Sequence, residues 1–185
     1  MLFRSITFAA IPDKTVLSAS FSLDANASSG LPVSFTSLHP LVATVDANGT
    51  VTIVGQGVAT IRATQDGNAS YNPAPSVEKT LTVTKAPQTI TFGALSNASL
   101  YTGTYSLAGK ASSDSNLTVA YDCNDTSLAT LSGTTLTLHG GGTVTITATQ
   151  GGNGTYLAAD PVTQLLTIID DTQQQQTITW TQTRS

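Results

Sequence analysis

The sequence predicts an all-β chain built as two tandem antiparallel β-sandwiches, and three observations carry that expectation. The 185 residues repeat themselves at an offset of 84 to 86 positions. Within each copy, short runs alternate small or apolar with polar residues at period two, the pattern of strands with one buried face. No ten-residue stretch carries the three-and-four spacing of an apolar helix face, so helix should be nearly absent.

The repeat runs almost end to end. Ile6-Thr7-Phe8 returns as Ile90-Thr91-Phe92, Phe21-Ser22-Leu23 as Tyr105-Ser106-Leu107, and Val33 and Phe35 as Val119 and Tyr121. Between Thr60–Asn68 and Thr145–Asn153 only two positions differ. Gln176-Thr177-Ile178-Thr179-Trp180 echoes Gln88-Thr89-Ile90-Thr91-Phe92 and opens a third copy. The expected organisation is a first repeat over 1–86, a second over 87–171, and a tail over 172–185 that joins a mobile polar linker, Gln173–Gln176, to the truncated first strand of a third repeat. The chain reads as cut from a longer array.

Taken in order, the first copy should hold strands near 5–9, 20–25, 32–37, 42–46, 50–54, 58–65 and 77–84. Thr and Val dominate them, and both suit a pleated, half-buried surface. Asn48-Gly49 reads as a two-residue primed hairpin turn, with Ser132-Gly133 in its place in the second copy. About seven short strands per copy, separated by turn signals every 8–12 residues, describe a sandwich of immunoglobulin type. Its two inner faces would be filled by Phe8, Phe21, Leu23, Val33, Phe35, Val45, Val51, Ile53, Ile61, Tyr71, Val77, Leu81 and Val83.

Composition narrows the function classes. Charged residues make up 10% of the chain, the formal net charge is −4, and 52 residues are Ser or Thr. Seven scattered Lys and Arg cannot form the clustered basic patch that phosphate neutralisation requires, which argues against nucleic acid and anionic membrane surfaces as partners. No apolar run approaches the ~18 residues of a membrane span, so no membrane insertion is expected. The opening residues lack the apolar core of a signal peptide, and any export signal should lie outside this sequence. A single Cys excludes an intramolecular disulfide.

The candidate chemistry is sparse. His39 and His139 are the two histidines and fall at unrelated places in the repeat, opposite Asp125 and Val54; both read as surface residues. Cys123 stands where the first copy has Ser37 and reads as a tolerated small residue. Asp170-Asp171, with Asp160 upstream, is the one place where calcium could be considered, but the first junction, Lys85–Gln88, has no carboxylate, and a solvated acidic turn is the better reading. Gly140–Gly142 lead into a strand rather than a helix, which makes them a turn and not a phosphate cradle. Seven Asn-X-Ser/Thr triplets begin at Asn26, Asn48, Asn68, Asn97, Asn116, Asn124 and Asn153, as chance allows in so Asn-, Ser- and Thr-rich a chain. Tyr71 and Tyr156 close the loop before the last strand and are expected to pack over the open end of their sandwich, with the hydroxyl on nearby backbone. No catalytic, cofactor or metal residue is expected.

The string Gln-Thr-Ile-Thr-Phe, then Ala-Ser-Ser-Gly-Leu-Pro-Val-Ser-Phe, then Val-Ala-Thr-Val, then Gly-Gln-Gly-Val-Ala-Thr-Ile-Arg-Ala-Thr-Gln, then Gly-Asn-Ala-Ser-Tyr-Asn-Pro-Ala, then Leu-Thr-Val resembles the bacterial Ig-like tandem repeats of large secreted or surface-anchored proteins. The resemblance covers 5–84 and 88–168. Asp114–Leu117, replacing Gly30–Pro32 with two residues added, departs from it. The family implies extracellular stalks and adhesin shafts and brings no catalytic residues. The expected function is a non-catalytic spacer in a bacterial cell-surface or secreted protein, partnered by neighbouring repeats of the same chain, with the short Lys85–Gln88 connection limiting bending. The alternative is a binding module that takes a glycan or host surface protein at its loop ends or a sheet edge.

Overall fold

The computed structural model describes residues 4–171. The Gln173–Gln176 tract and the third-copy strand lie outside the described residues. The chain divides into two compact units, Met1–Ala86 and Pro87–Ser185.

In the first unit, strands β1 (Ile6–Phe8) and β4 (Ala25–Ala27) form a two-stranded sheet, β3 (Phe21–Ser22), β6 (Ala43–Val45) and β7 (Thr50–Ile53) a three-stranded one, and β2 (Lys14–Thr15), β5 (Ser34–Ser37), β8 (Gly57–Gln65) and β9 (Ala74–Thr84) a four-stranded one. β4 pairs with β1 while β3 pairs with β7, which continues to β6; the four-stranded sheet runs β2-β9-β8-β5. The long β8–β9 hairpin aligns Ala59 with Leu81 and Ile61 with Lys79. Ala59, Ile61, Ala63, Leu81 and Val51 are fully buried, alternating along their strands with exposed or half-buried neighbours.

The second unit repeats the plan, with β10 (Ile90–Phe92) and β13 (Ala111–Ser113) in a two-stranded sheet, β12 (Thr104–Ser106), β15 (Ala129–Ser132) and β16 (Thr135–Leu138) in a three-stranded one, and β11 (Ala98–Ser99), β14 (Ala120–Cys123), β17 (Gly142–Thr149) and β18 (Val162–Ile169) in a four-stranded one. Its interior is a cluster that includes Leu107, Leu136, Val144, Ile146 and Leu166, all fully buried. The aromatic packing is kept between copies. Phe8 and Phe35 rings lie 5.5 Å apart in the first unit, and Phe92 and Tyr121 meet edge-on at 5.6 Å in the second. The chain is a tandem of immunoglobulin-like β-sandwiches.

Three details depart from the sequence expectation. Among the described residues each unit has nine strands, because the expected 20–25 strand divides where it changes partner, and because β2 and β11, two residues each, are too short to show alternation. Those two extra strands pair parallel to β9 and β18, so neither sandwich is wholly antiparallel. The Asn48-Gly49 turn is not a two-residue primed turn. Gly49 alone takes positive φ (79°), and the hairpin closes through Gly49 N–H to Asp46 O and Asp46 N–H to Thr50 O, a three-residue loop with a glycine bulge. Asp46 explains it: its Oδ1 accepts the N–H groups of Asn48 and Thr50 at 2.9 and 2.8 Å and holds Asn48 out of the left-handed region. In the second unit Ser132 pairs with Thr135, so the two-residue turn is Gly133-Thr134, one residue later than expected. Finally, Tyr71 lies outside the first core, with 41% of its surface exposed.

A short 3-10 turn, Leu100–Thr102, is the only helical element among the described residues.

Candidate functional site

The side chains singled out by sequence are distributed over both units and serve the backbone beside them. His39 is exposed, and its Nδ1 accepts the N–H of Thr60 at 3.1 Å. That bond fixes the tautomer, since an acceptor Nδ1 requires the ring proton on Nε2. His139 is exposed, with Nε2 2.9 Å from Thr130 Oγ1. Cys123 is buried in the second core opposite Ile146, and its thiol points to Asp125 O at 3.7 Å. Among the described residues, none of the three hydrogen-bonds to a carboxylate.

The acidic residues build turns. Asp125 accepts the Ser127 hydroxyl and N–H, and Asp114 accepts the N–H and hydroxyl of Thr89. Asp171 accepts the Ser99 hydroxyl through Oδ2 and the Tyr101 N–H through Oδ1, tying the end of β18 to the segment after β11. In each case hydrogen bonds to the ionised form hold the carboxyl below its ordinary value: chiefly the Thr50 N–H for Asp46, the Thr89 N–H for Asp114, the Ser127 hydroxyl for Asp125 and the Ser99 hydroxyl for Asp171. Asp160 is exposed on the approach to β18, and no group of three or more potential metal ligands forms among the described residues.

The glycine and asparagine motifs are also structural. A Cβ on Gly141 or Gly142 would stand 2.9 Å from Asp170 or 2.8 Å from Leu128, so this run is the close approach that starts β17. All seven Asn-X-Ser/Thr asparagines are exposed. In two of them the triplet is an Asx-turn: Asn68 Oδ1 takes the Ser70 N–H and Asn153 Oδ1 the Thr155 N–H. Tyr71 is held by Arg4, whose guanidinium lies 4.0 Å above the ring and donates to Asn72 O at 3.2 Å; the expected hydroxyl-to-backbone bond is not what seats it.

Sequence reasoning missed the most connected polar group. Gln88 is buried; its Nε2 donates to Gln150 Oε1 and Leu157 O, and its Oε1 accepts the hydroxyls of Ser113 and Ser115. The signal was present in the period-two pattern: Gln88 stands in phase with the buried Ile90 and Phe92, and Gln150 in phase with the buried Val144, Ile146 and Ala148. A cavity of about 340 Å³, open to solvent, lies between β13, β14 and the Gly133-Thr134 turn.

The two sandwiches define the class: a tandem of immunoglobulin-like modules. Residues 23–67, from the bend after β3 to the turn after β8, match the family model described as the immunoglobulin-like domain of intimin. The match covers 45 of the 185 residues, and that segment is similar to an immunoglobulin-like domain. No curated protein matches it. Among solved structures, Drosophila N-cadherin EC1-4 is 12% identical over 90% of this chain and 51% of that chain (TM-score 0.32). Domains 1-6 of the surface layer protein SbsC are 16% identical over 90% of this chain and 27% of that chain (0.36). The D00-D0 domain of intimin is 16% identical over 88% and 99% (0.35). The chain therefore spans about half, or less, of the cadherin and surface-layer structures it matches.

Proposed function

We propose that the chain is a non-catalytic structural spacer of a bacterial cell-surface or secreted, adhesin-like protein, acting beside neighbouring repeats of its own kind. One observation carries this reading. At two places where the units differ, the hydrogen bond is kept and the chemistry is not: His39 in one and Asn124 in the other accept the same backbone N–H, and Arg4 in one and Gln88 in the other donate to the same loop carbonyl. Repetition that keeps shape while exchanging an imidazole for an amide is what a load of geometry, rather than of reactivity, demands. Each module of this size adds a few nanometres of reach. With 10% charged residues, the chain's dimensions should change little with salt.

The test places a reporter epitope on a cell surface with zero, one or two copies of the 185-residue chain between anchor and epitope. Height above the membrane should rise by a constant increment per copy. A height independent of copy number would contradict the spacer reading.

A further inference from the structure

The cavity in the second unit is a product of the residues that depart from the repeat. In the first unit Leu23 N–H donates to Gly49 O, and a Cβ on Gly49 would stand 3.0 Å from the Phe35 ring, so the ring fills the space beneath the hairpin. In the second unit Leu107 N–H donates to Thr134 O, which puts a threonine where the first unit has that glycine, and the connection from β12 to β13 (107–110) is two residues longer than that from β3 to β4 (23–24). Tyr121, in the place of Phe35, turns its hydroxyl onto backbone, accepting from Ala111 N–H at 2.9 Å and donating to Leu107 O at 3.0 Å. The space left between is lined by Ser112, Asn116, Thr118, Val119, Tyr121 and Thr134 among others, and no Asp, Glu, Lys, Arg or His borders it.

We propose that this cavity is a binding site for a neutral pyranose sugar. The lining carries exposed hydroxyl and amide groups from Ser112, Asn116, Thr118 and Thr134, each able to donate and accept, around the half-buried faces of Val119 and Tyr121. A pyranose offers the complement: a ring of hydroxyls that donate and accept, and a C–H face that packs on an apolar or aromatic floor. The absence of charge from the lining favours an uncharged ligand. At about 340 Å³ the space falls at the small end of ligand pockets, the size of one or two sugar rings.

The wall is also set in advance. Asn116 is the only non-glycine residue with positive φ (59°) among the described residues, a conformation held by its surroundings. Asp114 is fastened to Thr89, and Ser113 and Ser115 to the buried Gln88. A loop anchored at three consecutive residues loses little freedom when a ligand arrives.

The experiment is a titration of the ¹⁵N-labelled 185-residue chain with the methyl glycosides of glucose, galactose and mannose and with N-acetylglucosamine. At least one should saturate with a Kd of about 1–20 mM, the range open to a few exposed hydrogen bonds. Amide shifts should be confined to 111–121 and 133–134. Asn116→Gly keeps the left-handed backbone and removes the amide; it should weaken that sugar at least about fivefold, the loss of one hydrogen bond, with the melting temperature unchanged. No saturable shift with any of the four sugars, shifts spread equally over both units, or unaltered binding by Asn116→Gly would each overturn the proposal.

Discussion

The backbone N–H of Thr60 donates to Nδ1 of His39 at 3.1 Å, and in the second unit the N–H of Thr145 donates to Asn124 Oδ1 at 2.7 Å. Imidazole and amide thus terminate the same strand pairing. His39→Asn should therefore leave the stability of the first unit within about 0.5 kcal/mol, whereas His39→Leu, which strands the Thr60 N–H, should cost about 0.5–1.5 kcal/mol by chemical denaturation. A histidine needed for proton transfer would give the opposite order of interest: His39→Asn would then abolish an activity without touching stability.

A second relationship separates the units. Gln150 Oε1 accepts from Gln88 Nε2 and from Gly152 N–H, but its counterpart Gln65 is buried with Oε1 unpartnered, because Arg4 occupies the place of Gln88 and reaches over Tyr71 instead. Arg4→Gln should stabilise the first unit by about 1 kcal/mol, the worth of supplying a partner to a buried carbonyl, less the lost cation–π contact. Gln88→Ala, which leaves Gln150 short of a donor and Ser113 and Ser115 short of an acceptor, should cost the second unit about 2–3 kcal/mol. Both are read from urea midpoints.

These pairs show what was legible. Period-two alternation located the strands that carry the cores, since burial of one face imposes it, and the internal repeat gave the equivalences between units. Lys14–Thr15 and Ala98–Ser99 were hidden because two residues cannot display a period, and because a parallel edge pair leaves no hairpin turn to mark it. Asn48-Gly49 misled because Asp46, two residues earlier, competes for the turn's N–H groups. The sugar-sized cavity was foreshadowed only as the Asp114–Leu117 departure; its shape depends on Thr134 and Tyr121, which lie elsewhere in sequence.

The turn glycines should sort by space as well as by φ. Gly133, Gly67 and Gly152 all have positive φ (60°, 76° and 75°), but a Cβ on Gly133 meets open space, on Gly67 it would sit 2.2 Å from Tyr71 O, and on Gly152 2.5 Å from Tyr156 O. Gly133→Ala should cost about 1–2 kcal/mol, the left-handed penalty alone. Gly67→Ala and Gly152→Ala should each exceed it, because backbone must move, and thermal melts of the three variants would show the order.

Acid should cost the second unit more stability than the first. The lowered carboxyls mean that the unfolded chain binds more protons than the folded one as pH falls, so the stability they supply is complete above the ordinary carboxyl range near ~4 and is lost as pH drops through the folded values. Asp114, Asp125 and Asp171 belong to the second unit and Asp46 to the first. Urea titrations followed at the Leu166 and Leu81 methyls by NMR should show the second unit's midpoint falling further than the first's between about pH 4 and 2, and Asp46→Asn should flatten the first unit's dependence.

The central claim is that two sandwiches, each with its own interior, account for the described chain. Mechanical unfolding of a single molecule held at its ends measures this directly. The prediction is two separate rupture events, each lengthening the tether by about 25 nm, the extended reach of some 80 residues at ~3.6 Å apiece less the folded length, with Leu81→Ala weakening one event and Leu166→Ala the other. A single event of about twice that length, or one substitution weakening both, would contradict it.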